Sequence, residues 1–199
     1  ATATIHASPE LVLAYRWLDS NENKKVQESL GLLLRRVEYV PDSRTQLVDI
    51  GKVFPTVSNR LFSSRSAWGR VEDESGSRYV IAYQPRDLEE AEFNKIQEEF
   101  GKLVKGTARQ VQIIEKVATN VSRITFVTDL DVGGMIPVAI ANKLLSFYLD
   151  QIKGLYEVFE RRGKDVDAEV GCLNGVLARG KKRGGQKQRG VLRKGREEC

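Results

Sequence analysis

Two carboxylates, Asp129 and Asp131, stand at i and i+2 in TFVTDLDVGGMIP, Thr125 to Pro137, where an apolar run reading as a strand ends. That spacing could hold a metal ion or set a phosphoryl-transfer nucleophile beside a second acid. Each chemistry makes further demands. A calcium loop of EF-hand type opening at Asp129 needs an oxygen ligand at its fifth position and Glu at its twelfth, where the chain has Gly133 and Ile140. An aspartyl-nucleophile phosphatase needs a doubly wound sheet and later acidic residues, whereas strands of antiparallel type precede this motif. Gly133-Gly134 lacks the lysine-bearing loop of a phosphate cradle. The lone histidine, His6, falls on a short first strand beside a helix cap, so Ser-His-Asp or Cys-His machinery would have to be built around it. Cys172 and Cys199 come late, without a partner at metal-ligand spacing, and suggest a reducing compartment. No catalytic residue, metal or cofactor is therefore expected. Asp131 reads as a turn residue whose carboxylate accepts backbone N–H bonds from the Gly133-Gly134 turn, and Asp129 as an outward, solvated one.

The elements that must position this stretch follow from periodicity. Ala3 to Ala7 is a short extended run. Ser8-Pro9-Glu10 then supplies an N-cap, a first-turn proline and an acid for a helix through Leu11, Leu13, Tyr15 and Trp17. Runs at 32–40, 45–54, 62–71 and 78–84 read as strands, parted by turn compositions such as Pro41-Asp42-Ser43 and Asp73-Glu74-Ser75-Gly76. Links this short imply antiparallel pairing, because parallel neighbours need crossovers. Residues 86–104 place Leu88, Phe93, Ile96, Phe100 and Leu103 at helical spacing among acids, an amphipathic surface helix. Two more strands, 108–117 and 121–130, flank Ala118-Thr119-Asn120. In the second, Ile124, Phe126 and Leu130 share one face and Arg123, Asp129 and Asp131 the other. From Pro137 to about Arg161 a helix carries an apolar stripe wider than a coiled-coil seam. Six or seven antiparallel strands curled around that helix would bury it. The curvature leaves either an apolar hollow for a hydrophobic ligand or a space that side chains fill.

With 199 residues, 41% apolar and 30% charged, the composition is that of an ordinary globular protein, and no run approaches the ~20 apolar residues that span a bilayer. Charge is uneven. Residues 179–199 carry +7 while the whole chain carries +5, so the high isoelectric point belongs to the tail. Residues 163–199 offer little apolar surface and read as a basic, disordered tail or linker that could attract anionic lipid or nucleic acid by charge alone. A solvated terminus without a dedicated partner is the plainer reading, and a nucleic-acid partner is not expected. The opening ATATIHASPE, without Met or leader, reads as a piece of a longer polypeptide.

Asp131-Val132-Gly133-Gly134-Met135-Ile136-Pro137 resembles the hallmark of one family, the lipid-transfer domain related to the steroidogenic acute regulatory protein, called START. There a strand, an Asp, a Gly-Gly pair and an aromatic or apolar residue followed by Ile-Pro open the last helix, with Trp usual where Met135 stands. Ala7-Ser8-Pro9-Glu10-Leu11-Val12 is similar to the entry to its early helix, and Lys52 to Arg60, with Phe62, to its proline-containing link and next strand. The chain departs at Leu61, where Asp commonly follows the Arg, at Lys105-Gly106, where Val-Arg-Gly or Val-Arg-Ala is usual, and in a longer, more acidic 86–104. The resemblance covers residues 1–162, N-terminally incomplete.

The resemblance implies an α+β helix-grip fold, a curved antiparallel sheet wrapped around a long C-terminal helix with an apolar cavity. It implies a lipid or sterol ligand, transient contact with a membrane surface, a cytoplasmic or peripheral membrane location, and no catalysis. On that reading Tyr83, Phe126, Met135, Ile140, Leu144 and Tyr148 line the cavity, with Trp68 nearby, and Arg65 and Arg109 offer polar contacts to a head group. Two alternatives stay open: a helix-grip enzyme of cyclase or aromatase type, and a regulatory membrane-interaction module with a vestigial cavity. Oligomeric state is not encoded.

Overall fold

The computed structural model describes residues 1–17, 32–40, 44–51, 57–74, 76–136 and 138–161, with backbone alone at 39–40, 44–47, 138–141, 143–149 and 161. The basic tail expected from 163 onward lies outside the described residues. Strands β1 (Thr2–Ile5), β2 (Leu32–Val40), β3 (Arg44–Gly51), β4 (Asn59–Asp73), β5 (Gly76–Pro85), β6 (Leu103–Ala118) and β7 (Val121–Asp131) form one sheet in the order β1-β7-β6-β5-β4-β3-β2. Helix α1 (Pro9–Trp17) follows β1, α2 (Glu90–Phe100) joins β5 to β6, and α3 (Val138–Arg161) follows β7.

Local chemistry sets the element ends where the sequence places them. Ser8 Oγ accepts the N–H of Leu11 at 3.3 Å, the expected cap with Pro9 in the first turn. Gly76 (φ +117) lets β4 return as β5, and Asn120 (φ +56) turns β6 into β7. Helix α2 is shorter than its apolar spacing suggests. It stops at Phe100 because Gly101 takes φ +76, and Leu103, expected on the helix, opens β6 five residues before the strand's expected start.

That early start adds a pairing not foreseen from the short links. Asn59–Phe62 of β4 run parallel to Leu103–Gly106 of β6, while the rest of β4 pairs antiparallel with β5. The β5–α2 segment is the crossover that a parallel pair requires. Every other pairing in the sheet is antiparallel.

Each face of the sheet carries its own core. On the inner face, α1 and the second half of α3 pack Val12, Tyr15, Ile152, Leu155 and Phe159 against Ile5, Tyr79, Ile81, Ile114 and Ile124. The rings of Tyr15 and Phe159 meet edge to face at 5.5 Å. On the outer face, α2 seats Ile96, with Phe93 and Phe100, over Val48, Ile50, Leu61 and Leu103. Full burial of a side chain such as Ile96 is worth about 1.5–3 kcal/mol. Arg86 fastens the entry to α2. Its backbone N–H donates to Ser63 O at 2.9 Å, and its guanidinium pairs with Glu92 at 2.9 Å. The sheet thus grips α3 on one face and carries α2 on the other.

Candidate functional site

Alternation along four strands decides which side chains meet α3. Cross-strand partners place Ser66 and Trp68 of β4, Tyr79, Ile81 and Tyr83 of β5, Gln110, Gln112 and Ile114 of β6, and Ile124, Phe126 and Thr128 of β7 on the inner face. At the Ile114 and Ile124 end this face is sealed by α1 and α3. Toward the other end Tyr83, Gln110 and Thr128 are half-buried. Helix α3 leaves the Asp131 end of β7, and by Ile152 it packs at the Ile124 end.

Among the residues expected to line a cavity, the structure brings Trp68, Tyr83 and Phe126 together on this face as members of one cluster, with the Trp68 and Tyr79 rings 6.2 Å apart. Ile140, Leu144 and Tyr148 lie on α3, with their side chains outside the described set. Met135 projects fully into solvent from the turn before α3. Arg65 and Arg109 stand on the outer face. Arg65 is opposite Gln84, and Arg109 pairs with Asp129 at 3.2 Å, both side chains exposed. Asp129 is thus the outward residue its strand phase implies.

The inner face also holds polar groups that sequence reasoning missed. Arg16, on the last turn of α1, is 8% exposed. Its Nε donates to Gln112 Oε1 at 3.1 Å, a second guanidinium nitrogen donates to Gln151 Oε1 on α3 at 3.4 Å, and its Cζ lies 5.2 Å from the centroid of the Phe126 ring. Gln112 is fully buried and donates from Nε2 to Gln110 Oε1 at 3.1 Å. Ser122 Oγ donates to Ala7 O at 2.6 Å, closing the far end. The signal was present but ambiguous. The two phases of β6 are about equally apolar, and only the fold sends Val111 (36% exposed) outward while Gln112 goes in.

Below the site, the turn that launches α3 is built from glycines and one buried cation. Gly133 and Gly134 take φ +64 and +68, and the Gly133 N–H donates to Asp131 Oδ1 at 2.9 Å, as expected of a turn aspartate. Arg60, 3% exposed, donates from Nε to Val132 O at 3.0 Å and from a terminal nitrogen to Gly133 O at 3.4 Å, and it also reaches Ser58 O. Burial lowers the pKa of this guanidinium. Another titratable feature is the Tyr79 hydroxyl, pushed up to about 12 by burial and by its 2.9 Å hydrogen bond to the Glu10 carboxylate. His6 points away from this face and pairs through Nδ1 with Glu160 at 2.5 Å on the exposed side of α3.

No protein-family model matches the chain, and no curated protein matches it in sequence. Solved structures do. The chain is similar to the human StarD13 (DLC2) lipid transfer and protein localization domain, with a TM-score of 0.62 at 14% identity over 80% of this chain and 75% of that one. It is similar to human STARD10, with a TM-score of 0.60 at 15% identity over 82% of this chain, and spans 64% of that structure. A fragment of the STAR-related lipid transfer protein from Xanthomonas axonopodis gives 0.58 at 14% identity over 80% of this chain and 84% of that one. Identities this low speak for the fold, and the fold is START-like: a helix-grip sheet closed by its C-terminal helix.

Proposed function

We propose that the chain is a non-enzymatic lipid-binding domain that holds one hydrophobic ligand, a lipid or sterol, between the inner face of the sheet and the first half of α3. The observation that carries this reading is the convergence of Trp68, Tyr83 and Phe126 on that face beside the polar series Arg16–Gln112–Gln110. Apolar and aromatic walls with a few fixed polar groups are what a hydrophobic ligand with one polar end needs. The START-like fold supports the reading, since two of the proteins it resembles are a lipid transfer and protein localization domain and a STAR-related lipid transfer protein.

In the proposed mechanism the apolar body lies along Trp68, Tyr83 and Phe126, with Ile140, Leu144 and Tyr148 of α3 as the opposite wall. Helix α3 is the lid. The Asp131–Gly134 turn is its hinge, and loosening it admits ligand during transient contact with a membrane surface. Arg65, Arg109 and Met135 are left out of the wall, two of them lying on the outer face and one in solvent. Native mass spectrometry with lipid extraction tests the reading on the full chain. A copurified lipid of about one per chain is expected, and protein that neither carries nor takes up lipid, with its inner face packed dry, would sink it.

A further inference from the structure

The outer face of the sheet divides in two. Helix α2 covers the part built from Val48, Ile50, Leu61 and Leu103. Farther along β5, β6 and β7, and on β1, no helix packs on this side among the described residues, and register sets the outward side chains in level rows. Arg109 stands beside Asp129, Val111 beside Ala82 and Val127, Ile113 beside Val80 and Thr125, and Glu115 beside Arg123. The two middle rows are almost wholly apolar. In one of them Val127 is 58% exposed and its neighbour Val111 36%. The end rows are charged, and in opposite order. Arg109 on β6 pairs with Asp129 on β7 at 3.2 Å, both exposed, whereas at the other end β6 carries the acid, Glu115, and β7 the base, Arg123. A two-fold axis parallel to the strands and midway between β6 and β7 would lay β6 of one copy over β7 of another. Arg109 then meets the partner's Asp129, Val111 the partner's Val127, Ile113 the partner's Thr125 and Glu115 the partner's Arg123. The same axis lays β5 over β1 and carries β3 and β4, under α2, past the edge of the facing sheet.

We infer that this face pairs with the same face of a second copy of the chain, in a symmetric homodimer with Val111 and Val127 at its axis and the two charged rows at its ends. The contact is isologous, so every pairing occurs twice. An exposed ion pair such as Arg109–Asp129 contributes little within one copy, and the partner's pair completes a network of four charges. Four strands about 4.8 Å apart, over about 20 Å of strand between the charged rows, give about 400 Å² per copy. A standard complex takes about 800 Å² per partner, so the dimer is a weak one that forms as concentration rises. Ligand space on the inner face is left clear, and the inference does not rest on the lipid-binding reading.

Sedimentation equilibrium of the full chain, loaded from about 1 to about 300 μM, tests this. A monomer–dimer equilibrium with a Kd of about 10–100 μM is expected. Val127→Glu, which sets a carboxylate at the axis, should weaken it about tenfold or more. Arg109→Asp and Asp129→Arg should each weaken self-association about tenfold, because like charges then meet across the axis. Mixed in equal amounts, those two variants should pair with each other within about threefold of the unmodified affinity, since each acid of one chain then faces a base of the other. The substituted side chains are exposed, and thermal unfolding checks that each variant folds. A chain that stays monomeric over the whole range overturns the inference. So does a dimer that none of the three substitutions weakens, or a mixture of the two charge-reversed chains that fails to pair.

Discussion

Arg60 Nε lies 3.0 Å from the carbonyl oxygen of Val132, a hydrogen bond across 72 positions of sequence that ties the start of β4 to the turn from which α3 departs. With Ser58 O and Gly133 O it gives one guanidinium three backbone acceptors inside the fold. A planar fork can serve several carbonyls at once, and an ammonium cannot reproduce that geometry.

Replacing Arg60 with Met should therefore cost about 2–4 kcal/mol, because the carbonyls it serves lose a charge-assisted donor in a buried place. Arg60→Lys should recover less than half of that. Urea unfolding gives the energies, and hydrogen exchange at residues 131–136 should quicken in both variants if the turn is what Arg60 holds.

Gly133 and Gly134 separate backbone strain from close approach. Both have positive φ, but a Cβ on Gly133 would lie 2.1 Å from the backbone oxygen of Lys105, whereas one on Gly134 would meet Val104 at an ordinary 3.5 Å. Gly134→Ala should cost about 1 kcal/mol, the price of a left-handed residue. Gly133→Ala should cost about 2–4 kcal/mol, since strand β6 must move to admit it. Equal losses in thermal unfolding would contradict this account of the turn.

Asp131 should tolerate Asn and not Ala. Asn keeps an oxygen for the Gly133 N–H, while Ala leaves that donor to solvent, and a loss of about 1 kcal/mol is expected for Ala alone. If the pair of acids were catalytic instead, Asn would abolish whatever activity the chain had while leaving its stability intact.

Tyr79 gives a pH signature. Its folded pKa, raised to about 12 from an ordinary 10.0, means that the folded state holds the hydroxyl proton more tightly than the unfolded chain does. The stabilisation is fully present below pH 10 and is lost as pH rises through about 12. Tyr79→Phe should be less stable than the unmodified chain at pH 8 by about 1–2 kcal/mol, and the gap should narrow between pH 10 and 12. Denaturant midpoints at pH 8, 10 and 11.5 follow it, and a constant gap would contradict a hydroxyl whose proton is held by burial and by Glu10.

The basic tail should act separately from the inner face. Its +7 charge predicts that binding of the full chain to anionic vesicles weakens with salt and that deleting residues 179–199 removes the salt-dependent part. Lipid carried inside the domain should survive the same deletion. Vesicle co-sedimentation at low and high salt distinguishes the two.

Much of this was legible in the chain itself, wherever a local rule has one solution. The Ser8-Pro9-Glu10 cap, the hairpin at Gly76, the inward phase of Ile124 and Phe126, and the Asp131-Val132-Gly133-Gly134 turn are each fixed by residues within a few positions of one another. The wide stripe on α3 required a sheet to cover it, which is why the helix-grip architecture could be read from pattern and resemblance together. Only the tertiary structure decided what depends on partners distant in sequence. Strand β6 is apolar on both phases, and it is α2 on one face and α1 with α3 on the other that send Leu103 and Val111 outward and bury Gln112. The same choice carried Arg109 to the outer face and set Arg16 over the Phe126 ring. Leu103 sits at helical spacing, yet Gly101 and a parallel neighbour on β4 make it a strand residue. A period-2 pattern tells two faces apart only when one is polar, and here both faces carry a core, so burial by distant elements had to choose.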